Sequence, residues 1–184
     1  VILETERMIL RLPEKADAPA IARYFTDNWA HLAPWMPTPP PDFFAEAHWR
    51  TQIARLRDEA ARESLLYWFV FKHDQRETPL GGVQLSAITR GPAQMANLGY
   101  HLAADAQGQG YLTEALPLVV DSAFGSLGLH RIQASYMPRN ERSGRLLRRL
   151  GFQQDGYARY YLRIAGRWED HVLTSRTNPD WTER

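Results

Sequence analysis

The stretch Ala104–Ala115, A-D-A-Q-G-Q-G-Y-L-T-E-A, decides how this chain is read. Before it, Gln94 to Leu102 has the composition of a strand. After it the periodicity changes: Leu112, Ala115, Leu116, Val119, Val120, Ala123, Phe124 and Leu127 recur at i, i+3, i+4 spacing, the clearest amphipathic helix in the sequence. A glycine loop therefore joins a strand to a helix. Gly108 and Gly110 let backbone amides approach a ligand closely. The helix start adds unpaired amides and the positive end of the helix dipole, which together favour a phosphate group. The loop is neither G-x-G-x-x-G nor followed by Gly-Lys-Ser/Thr, which argues against dinucleotide and nucleoside triphosphate sites. A junction of this kind serves equally well as a plain tight turn, so the decision rests on its surroundings.

Upstream, Ile2 to Leu12 places Ile9, Leu10 and Leu12 among polar residues and reads as one strand ended by Pro13. Ala16 to Asp27 puts Ile21, Tyr24 and Phe25 on one helical face. Asn28 to Asp42 holds Pro34, Pro37, Pro39, Pro40 and Pro41, and proline lacks the amide donor and clashes with the preceding turn. The helix is therefore expected to stop at Asp27, leaving a stiff loop that carries Trp29, His31, Trp35 and Met36. A second helix is expected over Phe43 to Glu63, with Trp49, Ile53 and Leu56 on its apolar side. Strands are expected next at Leu66 to Lys72 and Leu80 to Ile88, divided by polar turns.

Downstream of the long helix, Arg131 to Met137 is a short strand closed by Pro138. Asn140 can cap a helix that buries Leu146, Leu147 and Leu150 and stops at Gly151. Phe152 to Thr177 reads as a long hairpin turning at Ala165-Gly166. Neither a repeat nor a linker divides the chain, so a single domain over residues 1–184 is expected, of the α/β (α+β) class, with one mixed sheet flanked by helices.

Composition sets outer limits. A chain of 184 residues with 44% hydrophobic and 23% charged residues has the make-up of a globular domain with a real core. A formal net charge of +1 does not mark a nucleic-acid or membrane-surface protein. The absence of cysteine removes disulfides, thiolate nucleophiles and cysteine-held metals. No apolar run reaches the roughly 20 residues of a spanning helix. Nothing resembles a signal peptide, although the first residue, Val1, leaves room for native residues before it. A cytoplasmic protein with no membrane partner is expected.

A second segment, M-P-R-N-E-R-S-G-R-L-L-R-R-L-G-F at Met137–Phe152, changes the weight of the first. Together they resemble the GNAT superfamily of acetyltransferases: the first its Q/R-x-x-G-x-G/A pyrophosphate loop, the second its N-x-x-S-x-x-L-x-x-x-G-F helix. The details H-R-I-Q-A-S-Y-M-P-R-N, D-G-Y-A-R-Y-Y-L and G-R-W-E-D-H-V-L-T-S-R-T-N-P-D-W look closest to the Rim group, RimJ-type ribosomal-protein alanine N-acetyltransferases. The resemblance implies a single mixed, mostly antiparallel sheet of about seven strands, with acetyl-coenzyme A as co-substrate and no metal. It implies that Gln107, Gly108, Gln109, Gly110, Tyr111 and Leu112 enclose the pyrophosphate with backbone amides. His101 and Leu102 would bind the pantetheine arm through main chain, Asn140 would contact it, and Ser143 would lie near the thioester sulfur. Arg145, Arg148 or Arg149 would meet the ribose phosphate, with a solvated face the competing reading.

Three departures stand out. Leu112 occupies the place of a small residue, Pro117 falls inside the helix and is expected to kink it, and Leu147 replaces the tyrosine many members use as general acid. Ser143 is left as a hydrogen-bond donor to the departing sulfur, and backbone amides near Leu102 as the oxyanion donors. The general base is unassigned, with Asp170, His171 and His101 as candidates. Glu114 fits better as a first-turn residue complementing the helix dipole.

Trp29, His31, Trp35, Tyr160 and Tyr161 are candidate walls of an acceptor groove, or else packing for the proline-rich loop. The arginines Arg139, Arg142, Arg145, Arg148 and Arg149 read as a solvated helix face, so no direct nucleic-acid contact is expected. No histidine–carboxylate pair has metal-ligand spacing on one element.

An α-amine, with a pKa near 7.7–8.0, is easier to neutralise than a lysine near 10.4 by roughly 3–4 kcal/mol at pH 7. Acetylation of a protein N-terminus is therefore favoured, and the resemblance implies an alanine of a ribosomal protein as the first target. A small-amine acetyltransferase and a ribosome-associated, non-catalytic coenzyme A-binding factor are the alternatives. Either a monomer or a homodimer is compatible with the sequence.

Overall fold

The computed structural model describes residues 2–183. Its strands form one sheet in the order β1-β2-β3-β4-β5-β6-β8-β7. They are β1 (Ile2–Glu4), β2 (Met8–Arg11), β3 (Leu66–Lys72), β4 (Gly81–Thr89), β5 (Met95–Leu102), β6 (Arg131–Tyr136), β7 (Gln153–Ile164) and β8 (Arg167–Thr177). Every neighbouring pair is antiparallel except β5 with β6. The helices are α1 (Ala18–Leu32), α2 (Glu46–Ala61), α3 (Tyr111–Phe124) and α4 (Glu141–Arg149). Val1 and Arg184 lie outside the described residues.

The sheet has eight strands rather than seven because the opening segment folds back on itself. Thr5 accepts from the amides of Arg7 and Met8 at 3.3 and 3.0 Å, and its own amide donates to the Met8 carbonyl at 2.8 Å. That polar turn splits the expected strand into β1 and β2.

The first helix does not stop at Asp27; it runs to Leu32, and a 3-10 turn covers Ala33–Trp35. The reason lies in which bonds a proline breaks. Pro34, the first of the series, disturbs the turn before it only when the α-helix continues through it, so residues up to Leu32 keep their bonds. The second helix begins at Glu46, later than expected, because turns at Pro40–Phe43 and Asp42–Ala45 precede it. The third helix is unbroken over Tyr111–Phe124 with Pro117 inside it.

The face of the sheet bearing Phe69 and His101 packs against α1 and α2. Phe25 of α1 stacks on Trp49 of α2 at 4.9 Å, and Trp49 meets Phe69 of β3 edge-on at 6.1 Å. Such aromatic pairs contribute about 0.5–1.5 kcal/mol each beyond their buried area. The opposite face carries Leu98, Tyr100 and Leu102, by strand alternation. Tyr100 and Tyr136 both reach α4 there. Gly144 of α4 sits so close that a Cβ would lie 2.7 Å from the Tyr136 ring.

The parallel pair β5–β6 sets the position of the site. It is in register only over Met95–Asn97 with Arg131–Gln133. Beyond that, β5 continues to Leu102 paired with β4 alone, and β6 continues to Tyr136 paired with β8 alone. The two strands part like the arms of a V.

Candidate active site

Strand alternation fixes which backbone groups face into that opening. The Ala103 amide donates to the Leu80 carbonyl at 2.8 Å, which makes Gly81↔Leu102 a non-hydrogen-bonded pair of the β4–β5 ladder. The amide and carbonyl of Leu102, and by the two-residue period those of Tyr100 and Leu98, are therefore turned toward the V. His101 belongs to the other set. Its backbone groups are spent on Gly82, so His101 turns no main-chain group toward the V, and Tyr100 and Leu102 do.

The glycine loop leaves β5 at the open end of the V. Gly108 and Gly110 have φ of +74° and +81°, and Gly110 is the residue before the first turn of α3. A side chain at either position would be strained in this left-handed region. The Gln107 amide closes a turn onto the Ala104 carbonyl at 3.4 Å. The backbone amides of Gly108, Gln109, Gly110, Tyr111, Leu112 and Thr113 have no acceptor among the described residues. Six consecutive free donors at a helix N-terminus form a cradle for a doubly anionic group. Leu112 does not obstruct it, because its half-buried side chain packs against the core.

The loop is braced from three sides. Asn28 of α1 accepts from the Ala104 amide at 2.9 Å. Gln107 sits between α1 and α4: its Nε2 donates to His31 Nε2 at 2.9 Å, and its Oε1 accepts from Arg142 at 2.6 Å. Arg7, from the β1–β2 turn, donates to the Gln109 carbonyl at 3.0 Å and to Glu114 at 2.7 Å, with its guanidinium 4.7 Å above the Tyr111 ring. Glu114 thus occupies the first turn of α3, where a carboxylate complements the dipole, and, against the effect of burial, hydrogen bonds from Thr5 and Arg7 hold its pKa down.

On the β6 side, Asn140 caps α4 by accepting from the Ser143 amide at 3.2 Å. The Ser143 hydroxyl lies 2.7 Å from that of Tyr100 on β5, a bond that reaches across the V. Leu147 is buried in the core, so α4 offers no other hydroxyl at that level.

The three candidate bases have different surroundings. The ring nitrogens of His101 are both taken, Nδ1 by the Tyr24 hydroxyl at 2.8 Å and Nε2 by that of Tyr67 at 2.7 Å. Burial among aromatic rings pushes its pKa down to about 4. A neutral imidazole wedged between two phenols is a structural link and not a proton acceptor for substrate, which corrects that expectation. Asp170 is likewise occupied, accepting from the Tyr157 hydroxyl at 2.7 Å and the Tyr160 amide at 2.9 Å, and these donors hold its pKa down. It fastens the β7 bulge, where Tyr160 has φ of +50°. His171 differs. It is buried, its Nδ1 donates to the Glu169 carbonyl at 3.0 Å, and that bond leaves the lone pair on Nε2.

The depressed His101 predicts a pH effect on stability. Above the ordinary value of about 6.5, folded and unfolded chains both hold the ring neutral and this contribution is complete. As pH falls from there toward about 4, the unfolded chain takes up a proton that the folded one refuses, and stability is lost. The loss is about 2–3 kcal/mol, allowing for the solvent that reaches this half-buried residue. Chemical denaturation of wild type and His101→Gln at pH 7 and pH 4.5 measures it: the variant should lose less on acidification. Equal losses in both proteins would refute the assignment.

The aromatic residues expected as candidate groove walls lie in different surroundings. The Arg139 guanidinium bonds Glu169 at 2.7 Å and lies 5.6 Å from the Trp35 ring, and the Ala165 amide at the hairpin tip donates to the Met36 carbonyl at 2.9 Å. The β7–β8 hairpin is thereby fixed to the proline-rich loop. Tyr161 meets His171 edge-on at 5.7 Å. Trp29 packs instead on Phe43 and Phe44, at 5.6 and 5.3 Å, and Tyr160 points to solvent at 73% exposure. Trp35 and Tyr161 are thus the aromatic residues gathered with His171 and Glu169.

Of the arginines, Arg145 pairs with Glu141, and Arg145, Arg148 and Arg149 border a shallow depression on α4. Tyr100, Tyr24, Tyr67 and the side-chain role of Gln107 had no local signal in the sequence. Among the described residues, no group of three or more histidine or acidic side chains gathers as a metal site, and no helix is long and apolar enough to cross a membrane.

The model of the acetyltransferase (GNAT) domain matches residues 7–153. The [ribosomal protein uS5]-alanine N-acetyltransferase of Escherichia coli (strain K12) is 38% identical over 182 residues, covering 99% of this chain and 93% of the relative. The crystal structure of the ribosomal-protein-S5-alanine acetyltransferase from Vibrio fischeri superposes with a TM-score of 0.94 at 39% identity, covering 100% of both chains. Mycobacterium smegmatis RimJ in complex with CoA-disulfide superposes with a TM-score of 0.87 at 30% identity, covering 96% of this chain and 84% of the other.

Proposed function

The chain belongs to the GNAT acetyltransferase family, and from that premise we propose that it acetylates the N-terminal α-amine of a protein, an alanine that begins a ribosomal protein, using acetyl-coenzyme A. The observation that carries the donor side is the row of free amides from Gly108 to Thr113 at the mouth of the V. The acceptor class is supported by relatives near 38% identity over almost the whole chain that are named for an alanine of ribosomal protein uS5.

In this reading the loop amides hold the pyrophosphate, and the inward-facing backbone groups of Tyr100 and Leu102 extend the strand ladder along the pantetheine arm, beside Asn140. The Leu102 amide points at the acetyl oxygen and stabilises the negative charge that develops there. Ser143 donates to the sulfur. The acceptor enters on the opposite face of the sheet, between Trp35 and Tyr161. His171 Nε2 is the base, taking the proton that the amine loses as the new C–N bond forms. Its bond to the Glu169 carbonyl fixes the tautomer this requires. An α-amine gives up its proton more readily than a lysine would, by the difference in their ordinary pKa values.

Turnover of acetyl-coenzyme A with short peptides tests the proposal. A peptide with a free N-terminal alanine should be acetylated at its α-amine. The same peptide with a blocked N-terminus and a free lysine should react at least about a hundredfold more slowly, given the roughly 3–4 kcal/mol needed to neutralise lysine. Faster reaction at lysine, or turnover confined to small amines, would overturn the assignment.

A further inference from the structure

Ser143 is a weak acid with a single hydrogen, so what that hydrogen points at decides whether it helps the departing sulfur. The only hydrogen-bonding neighbour of its hydroxyl among the described residues is Tyr100, at 2.7 Å. If serine donated to tyrosine, no hydrogen would remain for sulfur. We propose that Tyr100 is a positioning residue for acetyl transfer: its phenol donates to Ser143 Oγ and so turns the serine hydrogen toward the thioester sulfur. The inference rests on the reading of Ser143 as the thiol-side donor.

Two considerations favour this direction of donation, and a third fixes the distance. A phenol is the stronger acid of the two hydroxyls and therefore the better donor. Burial pushes Tyr100 up to about 12, which keeps the phenol protonated wherever the enzyme works. The geometry is also held from behind, since α4 sits against Tyr136 with only glycine at position 144 between them. A larger residue there would have to displace the Tyr136 ring or lift α4, and lifting the helix would lengthen the bond between Tyr100 and Ser143. Donation from tyrosine also polarises the serine, making its own hydrogen a stronger donor.

Atoms and charges balance across the transfer. The amine lone pair forms the C–N bond while the thioester C=O pair moves onto oxygen. On collapse the C=O bond reforms, the C–S pair leaves with sulfur, and the nitrogen proton passes to the base. The thiolate accepts the hydrogen bond from Ser143. An ordinary thiol has a pKa of about 8.5. That is well below the value for Tyr100, so the phenol orients and polarises, and the proton that finally neutralises the thiolate comes from solvent.

Steady-state kinetics with acetyl-coenzyme A and a peptide the wild type turns over, joined to calorimetric titration with coenzyme A, test the idea. Tyr100→Phe should lower kcat about 3- to 10-fold, the size of one hydrogen bond, with KM for acetyl-coenzyme A and Kd for coenzyme A unchanged. Ser143→Ala should lower kcat by at least as much, and the double variant should match Ser143→Ala alone. Losses that multiply in the double variant would overturn the proposal, as would a coenzyme A affinity that falls in step with kcat. If Ser143→Ala slows turnover and Tyr100→Phe does not, the role of Tyr100 fails and that of Ser143 stands. If Ser143→Ala has no effect, the serine reading itself fails and the tyrosine proposal with it. Should phenylalanine prevent folding, 3-fluorotyrosine at position 100 keeps the hydroxyl and makes it more acidic. It should preserve or raise kcat, and a fall of several-fold would refute the proposal.

Discussion

Replacing Leu102 by its α-hydroxy analogue, so that the peptide bond from His101 becomes an ester, is expected to reduce kcat by about 100- to 1,000-fold while leaving coenzyme A binding nearly intact. The change deletes one donor, the Leu102 N–H. That amide is not part of the β4–β5 ladder, because the neighbouring Ala103 amide is the one bonded to Leu80. It is therefore free to meet the acetyl oxygen, and removing one donor of an oxyanion site costs about 2.7–4 kcal/mol of transition-state stabilisation. The side chain, which is buried, is unchanged. The structural cost is confined to the His101 carbonyl, a weaker acceptor as an ester, worth about 1 kcal/mol. Single-turnover acetylation of the alanine peptide, read beside coenzyme A titration and thermal denaturation, separates these effects. A loss below about tenfold would place the oxyanion donor elsewhere.

Gly110→Val should act on the other half of the reaction, weakening coenzyme A binding by about 10- to 1,000-fold. Gly110 holds φ at +81° at the N-terminus of α3. A non-glycine residue in this region costs about 1–2 kcal/mol, and a β-branched one is an outlier there. The backbone will relax toward negative φ and re-aim the amides on either side. Losing one or two amide–phosphate bonds at about 1.5–3 kcal/mol each accounts for a loss of that size. Space is not the cause, since the nearest atom a Cβ would meet is the end of the Arg7 side chain at 3.6 Å, an ordinary contact distance. Gly110→Asn, which tolerates the left-handed region, should therefore lose much less. Equal losses with valine and asparagine would show that the amides of this turn are not the ones that bind the diphosphate.

Leu102 and Gly110 differ in how plainly the sequence marks them. The glycines, the Asn140 cap and the stop at Gly151 are readable because each satisfies a requirement within a few residues of itself. The apolar period of α3 is readable for the same reason, and the helix survives the proline inside it. Expectation and structure part where a local rule reaches too far. A cluster of prolines ending at Pro41 suggests that helix is forbidden from Asn28 onward, yet the constraint begins only at Pro34, and α1 runs on to Leu32. The three-residue strand β1 is too short to register beside β2.

What the sequence by itself determined is the set of elements with their caps and a loop able to present free amides, because dihedral preference and hydrophobic period act over short range. Only the tertiary structure decided which of these meet. Tyr100 reaches Ser143 across 43 residues, Tyr24 reaches His101 across 77, and Arg7 reaches Glu114 across 107. The parting of β5 from β6 and the choice of Leu102 over His101 as the inward-facing amide come from sheet order and register. Those are set by burial over the whole domain, and a linear string of residues carries no local mark of them.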